Sequence, residues 1–140
     1  MKKVKNRYRT TARHFEIFKR EAELWIGRLE LHGWRIEISH KKDLPDTLAS
    51  MRSDIPGRVA TINLSTDWSG DDISALLLRM TAFHEVFELL LSRMSYLAEC
   101  RFLSDEEVPE ERHDIIRKFE NLFYGNGKEK SSKKVQAFTG

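Results

Sequence analysis

The sequence predicts an α+β fold: an N-terminal helix, a small antiparallel or mixed sheet, a long central helix and a C-terminal helix. Three observations carry that expectation. Phe15, Phe18, Ala22, Trp25 and Leu29 recur at steps of 3, 4, 3 and 4, the spacing of a single helix face. Trp34, Ile36 and Ile38 alternate with Arg35 and Glu37, the period of a half-buried strand. Residues 71–100 are apolar around most of a helical circumference, the pattern of a helix covered on several sides.

Each element has its own signals. The first helix is expected over residues 11–32, with Gly33 placed to close it in a left-handed turn. A strand follows over 34–39 and a polar, proline-containing loop over 41–46. A short strand over 48–52, the turn residues Asp54, Ile55, Pro56 and Gly57, and a Val/Ile/Thr-rich strand over 58–65 complete a hairpin or short meander. The central helix is expected over 71–100, capped by Ser69 or Gly70. Asp71 and Asp72 then sit at the positive end of its dipole, and a break is expected near residues 92–95. After a polar link, the third helix spans 110–124 with Ile115, Ile116, Phe119, Leu122 and Phe123 on its apolar face. The domain organisation is therefore a basic N-terminal arm (1–10), one folded domain (11–124) and a disordered basic tail (125–140).

Composition narrows the function classes. At 140 residues, 40% hydrophobic and 33% charged, the chain suits one globular domain with its own core. The net charge of +2 does not argue for nucleic acid. The basic residues gather in 1–13 and 128–134, so nucleic acid or an acidic partner would have to use those tails, which otherwise read as solvated arms. Cys100 is the single cysteine, which excludes an intrachain disulfide and a cysteine-rich zinc knuckle. The longest apolar run, residues 75–78, is far short of the ~20 residues of a membrane span. The basic start is followed by no apolar signal segment, so the expected location is cytoplasmic.

The chemistry concentrates in the central helix, at His84, Glu85 and Glu88. Positions i and i+4 share a helix face, so the His84 imidazole and the Glu88 carboxylate can reach one metal ion. Glu85, rotated away from the ion, can contact a water on it, which is the logic of the H-E-x-x-H zinc helix with Glu in the second ligand place. Two His and one carboxylate are a recognised catalytic zinc set, and His113 on the third helix is the candidate third ligand. Glu111 is its rival, lying nearer the apolar face. It would give a harder set suited to manganese. In this scheme Glu85 is the general base for peptide hydrolysis. A peptide substrate would lie along an exposed sheet edge, taken to be 58–65. Without a metal, Glu85 and Glu88 would need salt bridges to Arg79, Arg93 or Arg101. His14, His32 and His40 read as surface or turn residues.

The stretch TAFHEVFELLL at 81–91 with ERHDIIRKFEN at 111–121 resembles small phage and prophage zinc metallopeptidases, similar in layout to minimal SprT-type zincins. WRIEI at 34–38 and ATINL at 60–64 suit the strands that precede the metal helix in such domains. The resemblance spans residues 11–124, although only the two helical motifs are specific. It implies a zincin-like fold with one Zn2+ (or Mn2+) on His84, Glu88 and His113, and Glu85 as the catalytic base. It also implies peptide hydrolysis in a bacterial host cytoplasm. The departure from the family pattern is Glu88, where the usual motif has His. The alternative reading is a catalytically inactive zincin-like module that binds a host or phage protein.

Overall fold

The computed structural model describes residues 8–70 and 72–125. The elements run β1 (Tyr8–Arg9), α1 (Ala12–Arg28), β2 (Arg35–His40), β3 (Ala49–Asp54), β4 (Val59–Leu64), β5 (Asp67–Trp68), α2 (Ala75–Glu99) and α3 (Glu107–Tyr124). This is an α+β architecture with small sheets, one of them mixed.

Helix α1 begins at a capping box. The Thr11 hydroxyl accepts from the His14 amide at 3.2 Å, and His14 Nδ1 accepts from the Thr11 amide at 3.0 Å. The helix ends earlier than its periodicity suggests. Glu30 takes the left-handed conformation at φ 52°, and the Glu30 and Leu31 amides donate back to the Gly27 and Ile26 carbonyls. That is a Schellman closure, which buries Leu31. Gly33 does not supply the left-handed residue. It serves close approach instead, since a Cβ there would lie 3.1 Å from Arg58 Nη1.

The three-stranded sheet has the order β2-β4-β3, with β2 parallel and β3 antiparallel to β4. The hairpin expected across residues 54–57 is present. A continuous meander is not, because β4 takes the centre. The reason is apolar content: Ala60, Ile62 and Leu64 of β4 are all buried, whereas the apolar residues of β2 are only half-buried and β3 runs from half-buried to exposed. The expectation that 58–65 forms an exposed edge is therefore overturned, and the edges are β2 and β3. A separate two-stranded pair joins Tyr8 to Trp68 and Arg9 to Asp67. Residues 8 and 9, assigned to the N-terminal arm from sequence, thus lie in a sheet. Residues 1–7 and 126–140, the rest of the arm and nearly all of the tail, lie outside the described residues.

Helix α2 is capped by Ser74, whose hydroxyl accepts from the Leu77 amide at 3.0 Å. It starts at Ala75, beyond Asp72, so neither Ser69 nor Gly70 is its cap. No break occurs near Ser92 or Ser95. Their hydroxyls donate to the Leu89 and Leu91 carbonyls within the helix, a back-bonding that lets serine sit mid-helix. Leu78, Ala82, Val86, Leu89 and Leu90 bury one broad side of α2 against Phe18 and Ala22 of α1 and against Ile62 and Leu64 of the sheet. Helix α3 docks through an aromatic ladder that runs from Trp25 through Phe83, Phe87 and Phe119 to Phe123. Among the described residues no helix is long and apolar enough to cross a membrane.

Candidate metal centre

Three side chains of α2 converge. One ligand atom from each of His84, Glu85 and Glu88 lies within 4.8 Å of the other two. His84 Nε2 stands 3.3 Å from Glu88 Oε1. Helical geometry produces this approach, since residues one turn apart are neighbours on the surface. The two outer groups face solvent, with side-chain exposures of 67% for His84 and 53% for Glu88. Glu85, between them in sequence, is buried as a residue, with its carboxyl beside theirs.

Glu85 is the unusual member. Its carboxyl makes no hydrogen bond or ion pair among the described residues. Burial, then the Glu88 charge and to a lesser degree Asp43, push its pKa up to about 7 against the opposing His84 imidazole. The residue is largely covered, yet its carboxyl oxygens still reach water, so it can ionise without a partner among the described residues. Such a pKa is what a general base near neutral pH requires.

The donor set can be tested against a metal. Two ligands of a tetrahedral zinc at about 2.0–2.1 Å stand about 3.4 Å apart. The 3.3 Å between His84 Nε2 and Glu88 Oε1 fits that separation without rearrangement. One imidazole and one carboxylate, with Glu85 beside them, suit zinc or manganese in donor chemistry.

His113 is not in this group. It is exposed on α3. Glu111, its rival from sequence, is buried and ion-paired to Arg93, with Glu111 Oε2 at 3.0 Å from Arg93 Nε. Burial raises its pKa against the opposing Arg93 charge. The pair lines a separate cavity of about 450 Å³ between α2, α3 and the β3–β4 turn. Arg93 therefore serves Glu111 and not Glu85 or Glu88 as the sequence allowed.

Two features of the surroundings escaped the sequence reading. Asp43 sits in the loop before β3, where burial would raise its pKa. Hydrogen bonds from Ser50, Asn63 and the Leu44 amide, with the Arg52 charge, outweigh that and hold it low. Its charge reaches Glu85. Nothing in a polar loop marks such a role before the chain folds. His40, read as a surface residue, is half-buried, bonded to Thr10 Oγ1 at 2.6 Å and stacked on Phe15. Burial and the nearby His14 lower its pKa.

No protein-family model matches the chain, and neither a curated protein nor a solved structure is similar to it.

Proposed function

We propose that this chain is a zinc-dependent hydrolase of peptide bonds, built on a zincin-like layout. The observation that carries the proposal is the convergence of His84, Glu85 and Glu88, with the largely covered Glu85 carboxyl at a pKa pushed up to about 7 and without a hydrogen-bond partner among the described residues. The layout supports it: a small mixed sheet has its β3 edge packed along α2, the helix that bears all three groups.

In this reading His84 and Glu88 hold the ion. Zinc bound there would lower the pKa of a water to near 7 and polarise a carbonyl. Glu85 accepts the proton during attack and returns it to the leaving amine. Without an ion, burial and the Glu88 charge raise its pKa to about 7, and the positive charge of a bound ion would bring it down again. The substrate lies extended along β3, whose outer edge has no strand partner among the described residues. Backbone pairing there gives affinity without demanding a sequence. His113 is left out of the ligand set because it does not join the cluster, and Glu111 because Arg93 holds it.

The test is elemental analysis of tag-free protein never exposed to chelator, followed by turnover of a peptide mixture. The expected outcome is zinc in the wild type, none in His84→Ala, and zinc without turnover in Glu85→Gln. Protein that contains no zinc and takes up none on addition removes the proposal.

A further inference from the structure

A groove of about 550 Å³ leads away from the metal cluster between β3 and the second half of α2. Met51 and Ile55 form one wall, Leu91 and Tyr96 the other, with Glu88 at one end and Glu99 at the far end. Among the described residues no cationic side chain lines it. Its far end is negative. Glu99 is the last residue of α2, where the helix dipole already places partial negative charge. The last turn of α2 also carries no basic residue to offset that dipole. Arg101, the nearest candidate in sequence, rests its guanidinium over the Phe102 ring at 5.8 Å. Glu107 of α3 adds its charge beside Tyr96.

We infer that this groove selects peptides with a lysine or arginine several residues to the N-terminal side of the cleaved bond. The inference rests on the hydrolase reading for the word "cleaved", but the charge preference belongs to the groove itself. The apolar walls suit the aliphatic stem of such a side chain, and Glu99 suits its charged head. Direction and distance follow from the strands. The Ser50 end of β3, through Asp43, lies on the Glu85 side, while Ile55 borders the groove and also the cavity at Arg93. So β3 runs in the same sense as α2. A peptide pairing antiparallel to β3, the stronger pairing, has its N-terminal half towards Glu99. Glu99 lies eleven residue steps after Glu88 along the helix, which is about 16 Å at 1.5 Å per step. An extended peptide covers that in about five residues at 3.3 Å each. A long basic side chain reaches part of the way, so the favoured position is about three to five residues before the bond.

The experiment uses decapeptides of Ala, Thr and Val with one lysine moved along the chain, and a matching set with glutamate. Binding to zinc-loaded Glu85→Gln protein is read by fluorescence anisotropy, which needs no turnover. The expected result is about tenfold tighter binding for lysine than for glutamate at one or two adjacent positions. Adding Glu99→Lys should reverse that preference and leave zinc content unchanged. Affinity that is indifferent to lysine position, or unmoved by Glu99→Lys, overturns the inference. Cleavage of the lysine set by wild-type protein is scored separately. Lysine-selective binding with no cleavage sinks the hydrolase reading and leaves the groove's preference standing.

Discussion

Replacing Glu85 by glutamine in metal-free protein should stabilise the fold at alkaline pH and leave it nearly unchanged in acid. The carboxyl titrates at about 7 when folded, against 4.5 for the unfolded group. A raised folded pKa means that the native state holds its proton longer than the unfolded state does. The native protein is therefore at its most stable, with respect to this group, below pH 4.5. It loses stability as pH rises from 4.5 to about 7, and beyond that the loss is constant. At 1.36 kcal/mol per unit, the full interval corresponds to about 3 kcal/mol. Water still reaches part of the carboxyl, and His84 and Glu88 are half or more exposed, so screening reduces this to about 1–2 kcal/mol. Glutamine matches the protonated acid in shape and never ionises. Urea unfolding of chelator-stripped wild type and Glu85→Gln at pH 5 and pH 8.5 measures the effect. The variant should be more stable by about 1–2 kcal/mol at pH 8.5 and within about 0.5 kcal/mol at pH 5. Equal differences at the two pH values would show that the buried carboxyl is not held near neutrality, and the argument for a general base would go with it.

The ligand set can be separated by substitution. His113→Ala should leave zinc content unaltered, since that residue is exposed and outside the cluster. Glu88→His, which places a second imidazole one turn from His84, should tighten zinc binding by about tenfold or more, read by competition with a chromophoric chelator. The ion pair beneath α3 gives a stability test. Arg93→Met leaves the buried Glu111 carboxylate without its partner at 3.0 Å and should cost about 2 kcal/mol at pH 8 in thermal unfolding. The cost should shrink towards pH 5, because the Glu111 pKa is already raised by burial and losing the arginine charge raises it further.

Local signals settled which segments become helix and strand. The 3.6-residue rhythm of Phe15 to Leu29 and the alternation of Trp34 to Ile38 depend only on near neighbours along the chain, and both segments form the expected element with shifted ends. The same holds for His84, Glu85 and Glu88. Their meeting requires no more than a helix, so spacing alone put them together. Sequence could not rank the strands. Which of two short apolar segments takes the centre depends on the whole sheet's burial, and β4 won by burying Ala60, Ile62 and Leu64. That exchange moved the free edges from 58–65 to β2 and β3. The helix start at Ser74 was also hidden, because Ser69, Gly70 and Ser74 are all competent caps and packing chose among them. The largest gap concerned charges that meet across elements. Arg93 was free to pair with Glu85, Glu88 or Glu111 on paper, and only the docking angle of α3 gave it to Glu111. Likewise His113 could be turned towards α2 in the sequence, while the fold leaves it in solvent. Contacts within one helix are fixed by covalent geometry and turn angle. Contacts between helices depend on how apolar faces pack, which no single segment encodes.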